Sequence, residues 1–125
     1  MPLHARLFLS LGALGAAVSV ALGAAAAHTL AERAAAAQAW FHTALQYHQF
    51  HALGLLAAGL IAARLPDSRW VMAAGALMVT GTLLFSGNLY LRSLADFHAL
   101  HAVTPFGGAA FILAWLALAI GVLGK

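Results

Sequence analysis

The chain contains no cysteine and few charged residues. Without cysteine it has no disulfide framework, no thiolate nucleophile and no cysteine ligand for a metal. Charged residues make up 7% of its 125 residues and hydrophobic residues 64%. An ordinary soluble domain is about 25% charged and about 45–50% apolar. The composition therefore indicates an integral membrane protein.

Acidic residues are especially scarce, with three Asp and Glu against six Lys and Arg. The cations are scattered singly, without the clustered stripe that nucleic-acid binding needs, so no nucleic-acid partner is expected. All three carboxylates fall between the apolar runs, and no serine or lysine is placed beside a histidine as a nucleophile. We therefore expect the protein not to be an enzyme.

Apolar runs predict four membrane-spanning helices in a single transmembrane domain, 1–125: residues 7–27, 39–63, 70–91 and 105–123. The first run follows Arg6 and ends in Ala25-Ala26-Ala27, which are also features of a cleaved signal peptide. A run of about 20 residues is long for that purpose and has the length of a span. The fold class predicted is an all-α, integral membrane four-helix bundle.

Four spans put both termini and the turn at Pro66 on one side of the membrane. Four cations belong to that side and two to the other: Arg6, Arg64, Arg69 and Lys125 against Arg33 and Arg92. An excess of cations in short loops favours the cytoplasm. We expect a multi-pass protein of the cell inner membrane with both termini cytoplasmic.

Short motifs mark the ends of these helices. Asp67 or Ser68 can cap the third helix after Pro66. Thr104 followed by Pro105 is typical of an N-cap and first helical position. In the last connector Arg92 and Asp96 have a spacing that allows pairing on a helix surface.

The second apolar run is interrupted by the polar stretch Gln46–His51. Around a helix Tyr47, His48 and His51 share one half of the surface, with Gly54 a turn below, and the other half carries His42, Gln46 and Gln49. Polar side chains at membrane depth normally mark a function or a buried partner. Two polar faces predict a central helix with neighbours on both sides.

Six of the seven histidines fall toward the non-cytoplasmic half. Histidine is the commonest metal ligand, but His48 with His51, and His98 with His101, lack the carboxylate of a full zinc signature. We favour buried histidines bonded to neighbouring groups. Two alternatives stay open: a metal or haem site, with His28, His48 and His51 as candidates, and a proton or ion path through His51, Tyr47 and Asn88.

Small residues indicate where helices approach each other. Gly15, Ser19 and Gly23 recur every fourth position, and Gly107 and Gly108 lie in the first turn of the fourth helix. Trp115 falls in the middle of that helix, too deep for the interfacial belt. It is interpreted as a packing residue against the first or third helix.

Four segments together resemble the DUF423 family of small four-span membrane proteins, YgdD-like and related to transmembrane protein 256: Leu22–His28, Gln46–Leu53, Phe85–Tyr90, and Thr104–Gly108 followed by Phe111 and Trp115. The resemblance implies a four-helix membrane protein of unestablished activity. His48 departs from the family pattern, in which Gln is usual. The resemblance favours a polar cluster in the non-cytoplasmic half of the bundle, formed by residues that match the family. Gly87 also matches and is expected to be a helix-packing residue.

The combined interpretation is a structural or accessory membrane component. Its buried polar cluster comprises His28, Tyr47, His48, His51, Asn88, Tyr90 and Thr104. The first alternative is a haem- or metal-binding membrane protein using His28 and His51, although no cofactor is expected. The second is a small proton-coupled or ion transporter acting as an oligomer. Expected partners are the lipid bilayer and either further copies of the chain or other membrane proteins.

Overall fold

The computed structural model describes residues 1–124. Five α-helices, two of them forming one interrupted span, account for most of the chain: α1 Leu3–Thr29, α2 Ala35–Arg64, α3 Arg69–Gly81, α4 Asn88–Leu94 and α5 Thr104–Val122. A π-helical segment, Thr82–Gly87, joins α3 to α4, and a 3-10 turn, His101–Val103, precedes α5. No strand occurs between residues 1 and 124.

Three helical segments are long and apolar enough to cross a membrane: Leu3–Thr29, Arg69–Leu94 and His101–Val122. Helix α2 is longer, at 30 residues, but carries the polar stretch found in the sequence. The structure confirms the all-α, four-helix membrane fold class. Both of the first two helices extend beyond the predicted spans, so the connector between them shrinks to residues 30–34.

One of the two predicted caps is present. The hydroxyl of Ser68 accepts a hydrogen bond from the backbone N–H of Val71 at 3.3 Å and so begins α3. The prediction that Thr104 is an N-cap is wrong: α5 begins at Thr104 itself, and its N-cap position, Val103, makes no side-chain cap. The Thr104 hydroxyl instead accepts a bond from Asn88. Pro105 still lies in the first turn, where it removes no helical hydrogen bond.

Helix α1 packs along α2 through its small residues. A Cβ atom placed on Gly15 or Gly23 would make ordinary contacts of 3.5 Å with α2 side chains. The closest approach is one turn earlier, at Gly12, where a Cβ would lie 2.9 Å from the Ala52 carbonyl oxygen. Ser19 is buried and donates its hydroxyl proton to the Ala16 carbonyl. The predicted stripe therefore faces α2, and Gly12, which was not predicted, approaches α2 more closely than its glycines do.

The bundle divides into two halves of different character. The half nearer the termini has an apolar core contributed by four helices: Ala5, Phe8, Leu55, Ala58, Ala62, Val71, Ala74, Met78, Ala114, Ala117 and Leu118. The other half, which we call the connector half, contains the buried histidines and Asn88. Buried polar side chains are thus gathered away from the main core, toward the ends of α1 and α4.

The π-helical segment separates these two halves in the third span. Its backbone bonds reach five residues along the chain instead of four, so it accommodates one more residue per turn than an α-helix does. The segment presses against α5: a Cβ on Gly107 would lie 2.5 Å from the Phe85 backbone nitrogen and 2.8 Å from the Leu84 carbonyl carbon. Gly87 and Gly108, also predicted to be packing residues, make no such close approach.

Gly107 gives the first test. Gly107→Ala is expected to destabilise the protein by about 1–3 kcal/mol, because the added methyl group would clash with backbone atoms, which cannot move away by changing rotamer as a side chain can. Gly108→Ala is the matched control, since its methyl group would meet only Phe85 Cδ1, at 3.9 Å. Unfolding in detergent, followed by circular dichroism, measures both. An equal decrease in the free energy of unfolding in the two variants would contradict the close approach of α5 to the π-helical segment.

Candidate functional site: paired polar side chains around α2

Helix α2 carries two buried histidines in the connector half. His48 and His51 are 6% and 3% exposed, on the side of α2 that faces the bundle. Tyr47 precedes them but is 41% exposed. The three-residue spacing of the histidines lets each imidazole point toward a different neighbouring helix.

His51 is held from both sides of its ring. Its Nδ1 lies 2.8 Å from the Tyr47 carbonyl oxygen, and its Nε2 lies 3.0 Å from Nε1 of Trp115 on α5. A carbonyl can only accept and an indole N–H can only donate, so Nδ1 carries the proton and Nε2 accepts. The Phe111 ring stacks on the imidazole at 3.6 Å between centroids. His51 is therefore a fixed, neutral imidazole that joins α2 to α5.

His48 points to α4 instead. Its Nδ1 lies 2.8 Å from the hydroxyl oxygen of Tyr90, whose ring also packs on Phe41. On the other side of the imidazole, Nε2 would lie 3.7 Å from a Cβ placed on Gly15 of α1. The imidazole of His48 therefore lies between Gly15 of α1 and Tyr90 of α4.

Asn88 makes the third connection, between α4 and the start of α5. Its amide nitrogen donates to the Thr104 hydroxyl at 2.7 Å and to the Leu100 carbonyl. Its amide oxygen and the Ser86 hydroxyl are buried and have no hydrogen-bond partner within residues 1–124. The pairs His48–Tyr90, His51–Trp115 and Asn88–Thr104 together link α2, α4 and α5.

Two members of the predicted cluster lie elsewhere. His28 is exposed: its side chain, in the last turn of α1, lies outside the bundle, while Leu30, two residues later, is buried. The Tyr47 ring packs against Phe85 at 4.7 Å between centroids, but the side chain remains 41% exposed. Of the remaining five residues, His48 bonds Tyr90 and Asn88 bonds Thr104, while His51 bonds Trp115, which lies outside the predicted cluster.

The second polar face of α2 also differs from the prediction. His42, Gln46 and Gln49 are all exposed, so this face lies outside the bundle within residues 1–124, although the rest of α2 contacts α1, α3, α4 and α5. The prediction of neighbours on both sides followed from the two polar faces of α2. The fold covers the face with the buried histidines and leaves the other outside.

At the end of the connector half, an arginine joins the two connectors. Arg33 donates to the Ser93 carbonyl at 2.5 and 3.1 Å and pairs with Asp96 at 3.3 Å. Arg92 does not pair with Asp96 as its spacing suggested, because its guanidinium lies over the Trp40 ring, 4.3 Å from the centroid. These contacts tie the start of α2 to the end of α4.

The geometry offers no convergent ligand set. Among residues 1–124 no three His, Asp or Glu side chains come together as metal ligands. Both ring nitrogens of His51 are already bonded. His51 lies 16 residues into α2, about 24 Å from its start, whereas His28 ends α1 near that start. The two candidate haem ligands are therefore at different depths.

Two of the clefts beside α2 reach the buried histidines. One, of about 230 Å³, lies between α1 and α3 and reaches His48, and the other, of about 340 Å³, lies between α2 and α5 and reaches His51. Leucine, valine and alanine line much of the first cleft, and aromatic rings line much of the second. A substrate site normally adds a few convergent polar groups to such a lining. Each cleft offers chiefly one imidazole, already hydrogen-bonded.

Trp115 is the residue whose role the sequence did not reveal. It was expected to pack on the first or third helix, but its ring lies over Gly54 of α2, where a Cβ would come within 2.9 Å of it. The sequence did contain one indication of the contact: Trp115 and His51 both fall near the middle of their spans. Each of these groups needs a partner in a bilayer.

Comparison with known proteins places the chain among membrane proteins. The family described as "Protein of unknown function (DUF423)" matches residues 22–108. UPF0382 membrane protein YwdK of Bacillus subtilis is 41% identical over 120 residues, covering 94% of this chain and 97% of the relative. UPF0382 inner membrane protein YgdD of Escherichia coli K12 is 34% identical over 119 residues, covering 94% and 90%. No solved structure matches the chain.

The His51–Trp115 bond generates the second test. Trp115→Phe is expected to destabilise the protein by about 1–3 kcal/mol, because a buried imidazole nitrogen loses its donor. Trp70→Phe, at a position 44% exposed, is the control and should change stability by less than about 0.5 kcal/mol. Because Phe is also smaller, a double-mutant cycle with His51→Leu isolates the bond. Additive effects of the two substitutions would show that the bond contributes nothing.

Proposed function

The chain belongs to the DUF423 family of membrane proteins, and we propose that it acts as a structural or accessory component of the membrane. The observation that carries this proposal is the pairing of its buried polar side chains with one another. His48, His51 and Asn88 each bond a side chain on a different helix. Such bonds fix how helices pack and leave these groups little freedom for chemistry.

The bonding pattern explains why polar residues persist at membrane depth. Interhelical hydrogen bonds in membrane proteins contribute only about 0.6 kcal/mol each on average. Their larger effect is on specificity, because a helix rotated to a wrong register would leave an imidazole or amide unpaired in hydrocarbon. The three pairs therefore select one arrangement of α2, α4 and α5.

A non-enzymatic role is part of the proposal. The three carboxylates, Glu32, Asp67 and Asp96, are all exposed and lie in the connectors. General acid–base catalysis needs a titratable group beside the reacting atoms, and the clefts bring no carboxylate near either buried histidine.

The proposal includes location in the inner membrane with both termini in the cytoplasm. Arg6, Arg64 and Arg69 are exposed at the end of the bundle that holds the N-terminus. At the opposite end Arg33 is engaged by Ser93 and Asp96. Free cations near short loops favour the cytoplasmic side, which supports this orientation.

The third test separates the structural role from a cofactor role. His51→Ala is expected to lower stability by about 1–3 kcal/mol, because Trp115 loses its acceptor and the Phe111 ring its stacking partner. His28→Ala is the control, since that side chain is exposed. Absorption spectra and elemental analysis of protein purified from native membranes accompany the unfolding measurements. The proposal expects no haem band and no stoichiometric transition metal in any of the three proteins.

Two results would overturn the structural proposal. One is a haem band or a stoichiometric metal that disappears in both histidine variants, which would favour the cofactor alternative. The other is a His51→Ala variant with unchanged stability, which would mean that the imidazole is not needed for the bundle.

A further inference from the structure

The exposed face of α2 carries two amide side chains near the middle of the membrane. Gln46 and Gln49 point away from the bundle, opposite His51. Gln49 follows Ala35 by 14 residues, so it lies about 21 Å from the start of a helix about 45 Å long. The hydrocarbon core is about 30 Å thick. Gln49 is therefore near its centre.

Neither amide has a partner in the chain. No hydrogen bond joins the side chain of Gln46 or Gln49 to another group in residues 1–124, whereas Gln38, near the start of the same helix, donates to the Arg33 carbonyl. A primary amide has two donors and an acceptor, and lipid tails satisfy none of them. In a single copy these two side chains would face hydrocarbon unpaired.

Their spacing is that of a helix–helix seam. Among the exposed residues of α2, five recur at intervals of four, three, four and seven: His42, Gln46, Gln49, Leu53 and Leu60. Intervals of three and four that sum to seven keep a stripe facing a parallel partner helix in a left-handed supercoil. The stripe extends over about five turns, with the half-buried Leu56 and Ala57 between its last two members, and contains both unpaired amides.

We propose that this stripe, His42–Gln46–Gln49–Leu53–Leu60, is the interface at which a second copy of the chain binds. All copies insert in the same orientation, so a two-fold axis along the membrane normal brings each Gln beside the same Gln of the other copy. Amides are self-complementary because each both donates and accepts. The same patch on both subunits forms a closed dimer.

The rest of the surface favours a second copy over another contact on the same chain. Along α5 every exposed side chain is apolar, as is every exposed side chain of α1 from Leu11 to Ala27. The exposed Thr80 hydroxyl is bonded to the Ala76 carbonyl. Among the described residues at this depth, the other exposed polar side chain able to bond an amide, Tyr47, is also on α2. The surface that can satisfy two amides is therefore the exposed face of a second α2.

Cysteine cross-linking in native membranes tests the dimer directly, because the chain has no cysteine of its own. Leu53→Cys lies on the stripe and Ile112→Cys on α5, and the two positions are 63% and 64% exposed. Oxidation is expected to give a disulfide-linked dimer of twice 12.9 kDa for Leu53→Cys and not for Ile112→Cys. Equal cross-linking of both, cross-linking of neither, or linkage of Leu53→Cys to a different protein would overturn the proposal.

A second measurement assigns the effect to the amides. Gln46→Leu with Gln49→Leu, in the Leu53→Cys background, is expected to weaken dimerisation about tenfold, the equivalent of two interhelical bonds at about 0.6 kcal/mol each. Leucine is more apolar than glutamine, so this variant should insert and fold, which circular dichroism checks. An unchanged cross-linked fraction would show that the amides do not hold the copies together.

Discussion

A bilayer supplies no hydrogen bonds to side chains, so each polar group in the second helix depends on a partner provided by protein. His51 shows how completely the fold meets this requirement. A carbonyl of its own helix accepts a hydrogen bond from the Nδ1–H group, and an indole N–H on α5 donates to Nε2. Both bonds are directional, so they define the depth and rotation of α5 relative to α2. The positions of Phe111 and Gly54, which pack against the same rings, follow from that arrangement.

The fold class and the family were predictable because apolar runs and motif spacing are properties of residues close together in the sequence. The inward direction of His48 and His51 was predictable for the same reason, from helical periodicity. Their partners were not, since Tyr90 and Trp115 are reached only when helices cross at particular depths. The error at His28 has the same origin: the motif placed a histidine near the end of α1 but did not show whether its side chain faces into the bundle. The sequence around Thr104 is typical of an N-cap, but the Thr104 hydroxyl accepts a hydrogen bond from Asn88, 16 residues earlier.

The division of the bundle into an apolar half and a polar half follows from residue size. Near the termini, alanines and glycines let backbones come close, and dispersion between packed atoms is enough to hold the helices. In the connector half, directional bonds between larger rings are added to such packing, as between His48 and Tyr90 and between His51 and Trp115. The Arg33 contacts with Ser93 and Asp96 close this end.

The π-helical segment has a consequence for how the chain tolerates insertions and deletions. One residue turns an α-helix by about 100°, but the wider turn of Thr82–Gly87 takes up one extra residue without passing that rotation on to α4. Loss of a residue within this segment would tighten the turn to α-helical geometry and leave Asn88 and Tyr90 near Thr104 and His48. Loss of a residue within α3 would instead rotate both away, although every residue of the site would still be in the sequence. Alignments of relatives with a single-residue gap should accordingly be interpreted by whether the gap falls inside or outside this segment.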